Sequence, residues 1–204
     1  RWHHPERGRQ SPGTFIPVAE QSQLIVPIGE WAIREACRCI HAWRAAGLDV
    51  VPVAVNVSLI QLAVGNFHEV VRDALATYDL PGWALSLEIT ESVFERASQA
   101  LRDHLQAIHD LGVRLSLDDF GTGYSSLLYL KQYPFDELKI DQGFVRAVRG
   151  DAYSRHVVQL VIGLGQSLGV DLIAEGIEDD PVRPLAPRSR CAAAAGARSP
   201  WRCQ

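Results

Sequence analysis

Residues 114–127 read Arg-Leu-Ser-Leu-Asp-Asp-Phe-Gly-Thr-Gly-Tyr-Ser-Ser-Leu. Val113, Leu115 and Leu117 alternate with Arg114, Ser116 and Asp118, the period of two that a strand requires. The strand ends in two adjacent carboxylates, Asp118 and Asp119. A Gly-Thr-Gly turn follows, and then a short helical run over 125–133. An acid pair at the C-terminal end of a strand, backed by a glycine loop, suits a divalent cation. Magnesium and manganese prefer hard oxygen ligands, and neighbouring carboxylates can bridge two of them. An Asp-Asp pair alone is equally compatible with a strand that ends in a polar turn, so the neighbouring segments decide.

Outward from this stretch the chain alternates. Strands are predicted over 51–58, 85–91, 135–141 and 171–177, each with one aliphatic face. Helices are predicted over 27–46, 67–78, 98–111 and 154–168, with Gly47, Gly112 and Gly169 as stops. In helix 27–46 the stripe Ile28, Trp31, Ile33, Ala36, Ile40 and Trp43 is read as the buried face, tryptophans included. Residues 1–23 are rich in Pro and Gly and read as loop and short helix. His3 and His4 have no partner at metal spacing and read as polar surface. Strand–helix alternation at a spacing of about 30 residues argues for parallel strands joined by helical crossovers.

The informative feature is positional. Each strand carries, on its small or polar face and near its C-terminal end, one functional group: Asn56, Glu88, Asp118, Lys139 and Glu175. In a β/α barrel such faces turn inward and converge at the C-terminal mouth, where active sites are built. Three carboxylates, an amide and an ammonium would then share one cup. Buried carboxylates lose hydration and repel one another, so divalent metal together with Lys139 is the economical compensation. The predicted class is α/β, with five parallel strands whose inward faces meet as at the mouth of a β/α barrel around a metal-dependent hydrolytic site.

Composition narrows the alternatives. The chain has 204 residues, 47% of them hydrophobic, and a formal net charge of −4. That suits a globular domain better than a nucleic-acid binder. The most apolar stretch, 50–64, is interrupted by Asn56, Ser58 and Gln61, so no membrane span is expected. Cys37, Cys39, Cys191 and Cys203 lack regular spacing. They read as free thiols of a reducing compartment, the cytoplasm.

The ordered motifs resemble the EAL family of bacterial cyclic di-GMP phosphodiesterases. The matching residues are Arg1-Trp2 with His4-Pro5 and Gly8, Pro12 with Phe15-Ile16-Pro17 and Ala19-Glu20, and Asn56-Val57-Ser58 with Gln61. Further along they are Glu88-Ile89-Thr90-Glu91, Asp118-Asp119-Phe120-Gly121-Thr122-Gly123, Leu138-Lys139-Ile140-Asp141 and Ala174-Glu175-Gly176-Ile177-Glu178. The resemblance implies a modified TIM barrel with two Mg²⁺ or Mn²⁺ ions that hydrolyses cyclic di-GMP to linear pGpG. It implies Asn56, Glu88 and Asp118 as ligands of the first metal, Asp119 towards the second, and Glu175 in the same cluster. It further implies Lys139 holding or deprotonating the attacking water, Glu91 bracing the Asp-Asp loop, and Arg1 on a substrate phosphate. A homodimer is the implied state of the intact parent.

Two departures accompany the resemblance. The family's Glu-Ala-Leu motif, whose Glu is implied as a metal ligand, would stand just upstream of Arg1, and the chain holds no Met. The family pattern also stops after Glu178, before the Gln-Gly-aromatic motif it implies. Residues 179–204 carry five arginines against two aspartates, with prolines and alanines that show no apolar period. The expectation is a partial domain over 1–178 followed by an aberrant, disordered tail over 179–204, frameshifted or otherwise non-native, the chain being inactive as it stands. The alternative is a degenerate module that binds cyclic di-GMP as a receptor without cutting it.

Overall fold

A computed structural model describes residues 2–64, 66–96, 98–121, 130–177 and 191–194. It opens with an antiparallel hairpin, β1 (Trp2–His4) and β2 (Gly8–Gln10), where the sequence suggested only loop and short helix. The hairpin is held locally. His4 Nδ1 accepts from Glu6 N at 3.1 Å and from Arg7 N at 3.2 Å, so this imidazole shapes the turn.

Helices α1 (Pro12–Gln21) and α2 (Ile25–Ala45) follow. Gly47, at a φ of 73°, closes α2 in the left-handed conformation that only glycine adopts without strain. The reading of the α2 tryptophans as core is overturned: Trp31 is 65% exposed and Trp43 43% exposed. The buried stripe is Ile25, Gly29, Ile33, Cys37 and Ile40. Steps of four and three residues keep that stripe on one side of a helix, and Trp31, two residues from Ile33, falls on the opposite side.

The body of the fold is a parallel sheet. Its strands are β3 (Val53–Asn56), β4 (Leu85–Thr90), β5 (Arg114–Phe120), β6 (Glu137–Ile140), β7 (Asp171–Glu175) and β8 (Cys191–Ala194). Their order in the sheet is their order in the chain. A doubly wound sheet reverses direction at a switch point, whereas a barrel adds each strand beside the last. The architecture is therefore α/β and TIM-barrel-like. Among the described residues the sheet does not close, since β3 pairs only with β4 and β8 only with β7. The sixth strand, β8, lies in the segment the sequence set apart as a tail. The helix suggested over 125–133 falls largely outside the described residues.

Between the strands run α3 (Leu59–Ala63), α4 (Phe67–Thr77), α5 (Gln99–Asp110), α6 (Gln142–Ala147) and α7 (Ala152–Leu168). The outward strand face carries Leu85, Leu87, Ile89, Leu115, Leu117, Leu138, Ile140 and Leu172, all buried. These pack in one cluster with Val71 and Leu75 of α4, Leu105 and Ile108 of α5, and Val161 of α7. Each such Leu or Ile contributes about 1.5–3 kcal/mol by leaving water. With that face saturated by helices, the polar residues of the same strands have only the barrel interior to occupy.

Candidate metal centre

The five strand-end residues singled out from the sequence meet at Lys139. Its Nζ lies 2.8 Å from Glu88 Oε1, 3.1 Å from Asp118 Oδ1 and 2.6 Å from Glu175 Oε1. Asn56 joins through Glu88, donating from Nδ2 to Oε2 at 3.1 Å. Register explains the meeting. Asn56 stands opposite Glu88 on β3–β4, and Thr90 opposite Asp118 on β4–β5. Lys139 stands opposite Ile173, two residues before Glu175, on β6–β7.

Lys139 is buried. Burial alone would lower its pKa, but the hydrogen bonds it donates to Glu175 and Glu88 and the charges of Glu88 and Asp118 outweigh it. The net effect holds the ammonium above its ordinary range. In the absence of other cations this side chain is the charge that lets three carboxylates coexist.

Adjacent residues on a regular strand point to opposite faces, so Asp118 and Asp119 should diverge. They do not. The β5–β6 pairing shifts register between Leu117 and Phe120, and Asp119 adopts a left-handed φ of 54°. This bulge turns both side chains to one side. Oxygens of Asp118, Asp119 and Glu175 come within 4.8 Å of one another. Asp119 N also donates to Asp118 Oδ1 at 3.0 Å. Burial, followed by the charges of Asp118, Asp141 and Glu175, pushes the Asp119 carboxyl above its usual range. Asp141 is a member of this field that the sequence reading left without a role. The signal was present in the Lys-Ile-Asp alternation, which places it on the Lys139 face.

Glu91 is buried, and its Oε2 accepts from Gly121 N at 3.1 Å across the Asp-Asp turn. Arg1 lies outside the described residues. The donor set fits a divalent cation of the magnesium or manganese type. Every potential ligand is a hard oxygen. The Asn56 amide gives its N–H to Glu88 and so keeps Oδ1 available as an acceptor. A cationic group already sits among the carboxylates in the form of the Lys139 ammonium.

The chain resembles known proteins in sequence and in fold. Residues 1–197 match the family model for the EAL domain. Over 191 residues the chain is 42% identical to the bifunctional diguanylate cyclase/cyclic di-GMP phosphodiesterase MucR of Pseudomonas aeruginosa, covering 94% of this chain and 28% of that protein. It is 39% identical over 178 residues to the cyclic di-GMP phosphodiesterase PA2567 of the same organism, covering 87% and 30%. The solved PaMucR phosphodiesterase in complex with c-di-GMP is similar in fold at a TM-score of 0.86 and 42% identity, covering 94% of this chain and 77% of that one. The chain thus spans under a third of the length of these curated relatives. Among the described residues no helix is long and apolar enough to cross a membrane.

Proposed function

The chain belongs to the EAL domain family, and from that premise we propose that its strand-end cluster is the metal centre of a cyclic di-GMP phosphodiesterase yielding linear pGpG. The observation that carries this reading is the convergence of Glu88, Asp118 and Glu175 on one point, with Asn56 attached through Glu88.

Asn56, Glu88 and Asp118 would hold a first Mg²⁺ or Mn²⁺, and Asp119 and Glu175 a second beside Asp118. When bound, such a pair supplies hydroxide near neutral pH and neutralises charge on the phosphoryl oxygens. The protein's own groups do the rest. The Lys139 ammonium donates to the attacking water and offsets the surplus of carboxylates. Glu91 fixes the turn that aims Asp119, and Arg1 receives a substrate phosphate. The place of action is the cytoplasm, and the intact protein works as a homodimer.

Activity belongs to the intact protein rather than to this chain alone. Asn56 sits exposed on a strand with one partner, so that side of the cup is open to water among the described residues. Asp118→Asn in the intact protein tests the reading. Loss of a partner merely behind a metal ligand costs about 10–100-fold, so kcat is expected to fall by at least ~100-fold, with a smaller change in nucleotide affinity. An unchanged kcat contradicts the proposal.

A further inference from the structure

Asn56 is the most weakly held member of the centre. Its strand has a ladder on one side only among the described residues, and an edge strand lacks the second row of bonds that fixes an inner one. What fixes its C-terminal end instead is a set of polar contacts to Ser58, two residues on. Ser58 Oγ accepts from Ile60 N at 3.3 Å and donates to Glu20 Oε1 at 2.6 Å. Ser58 N donates to Gln61 Oε1 at 3.0 Å, completing a capping box on α3. Gln61 is itself buried. It occupies space that Gly29 of α2 leaves free, for a Cβ there would stand 1.8 Å from Gln61 Nε2.

The capping box is local and would hold any short helix. The Glu20–Ser58 bond is different. It joins residues 38 apart in sequence and ties the β3–α3 turn to α1. A hydroxyl donating to a carboxylate is roughly twice as strong as a neutral hydrogen bond. Glu20 also lies in the last turn of α1, where the helix dipole disfavours a negative charge. Its placement therefore does not serve α1.

We infer that Glu20 is a positioning residue for Asn56, acting through the Ser58 hydroxyl to hold the outermost metal ligand in register with Glu88. The inference rests on the reading of Asn56 as a metal ligand. The test is Mn²⁺ affinity of the intact protein, read from the free-ion EPR signal during titration, for Glu20→Ala, Glu20→Gln, Ser58→Ala and Asn56→Ala. Glu20→Ala raises the Mn²⁺ dissociation constant about 10-fold, in the range known for partners behind a ligand. Glu20→Gln, which keeps an acceptor oxygen, returns it to within about 3-fold, the rescue a charge-assisted bond reduced to a neutral one allows. Ser58→Ala gives the same loss as Glu20→Ala by removing the donor, which covers the case of a Glu20→Ala protein that fails to fold. In an Asn56→Ala background Glu20→Ala adds no further loss. If Asn56→Ala weakens Mn²⁺ binding while Glu20→Ala and Ser58→Ala do not, the positioning role is overturned and the ligand reading stands. The role is equally overturned if Glu20→Ala weakens binding as much without Asn56 as with it. If Asn56→Ala leaves Mn²⁺ binding unchanged, the ligand reading fails and the inference with it.

Discussion

Lys139 carries two burdens that a substitution separates. It offsets part of the charge of three carboxylates in the metal-free protein, and in the proposed reaction it donates to water. Removing one partner of a buried ion pair typically costs about 3–5 kcal/mol, because the charges left behind stay buried. Lys139→Met is therefore expected to lower the melting temperature of the metal-free protein. Added Mn²⁺ should raise that temperature more in the variant than in the wild type, since a divalent ion replaces the missing charge. Equal Mn²⁺ shifts in thermal melts would contradict this account of the ammonium. A second residue-scale expectation concerns Cys37, whose thiol is buried and pushed up from 9.0 to about 11 by desolvation. The unfolded chain loses this proton first as pH rises. Cys37 thus adds nothing to the pH dependence below about pH 8 and progressively destabilises the fold between the two values, by roughly 1.4 kcal/mol per unit. Urea midpoints measured from pH 8 to 10.5 should fall less steeply for Cys37→Ala than for the wild type. In the native state a maleimide should modify part-exposed Cys39 and spare Cys37.

Among the elements, a constraint set by backbone lies just before β4. Gly82 opens the short turn before β4, and a Cβ there would stand 2.0 Å from the Leu111 carbonyl oxygen, which is backbone and cannot swing aside. Gly82→Ala should destabilise by about 1–3 kcal/mol, the usual range for overpacking, seen as a lower urea midpoint at unchanged slope. What the sequence made legible at this scale follows from periodicity. Strands β3 to β7 were readable because one face of each is aliphatic while the other turns small or polar, and the inward set Asn56, Glu88, Asp118, Lys139 and Glu175 fell out of the same alternation. The hairpin β1–β2 was not, because three-residue strands offer no period and their turn depends on an imidazole acceptor. The burial of α2 was misread because Gly29 and Cys37 complete its buried stripe, while the more conspicuous tryptophans lie opposite. The bulge that unites Asp118 with Asp119 was invisible, for alternation alone would send them apart. Strand β8, Cys191–Ala194, had no alternation to read.

At the scale of the molecule, the parallel sheet has unpaired outer edges among the described residues, and such edges offer backbone donors and acceptors to other chains. Produced alone, this chain is expected to elute as aggregate in size-exclusion chromatography. The fold class was legible here because sequential βα units in one order admit few arrangements, and the pairing at the outer edges of the sheet was not, because Cys191–Ala194 offers no alternation from which to read a strand. The same open side leaves Asn56 exposed, which links the fold to the chemistry. The central claim is that these strand ends form one metal-dependent phosphodiester-cleaving centre. The most direct measurement is turnover of cyclic di-GMP with Mn²⁺, with and without EDTA, by the intact protein and by its Glu88→Gln variant, with products separated by chromatography. The account predicts linear pGpG from the intact protein with Mn²⁺ alone, and none from the variant or in EDTA. Nucleotide binding without any turnover by the intact protein, or turnover that survives EDTA or the loss of Glu88, would contradict it.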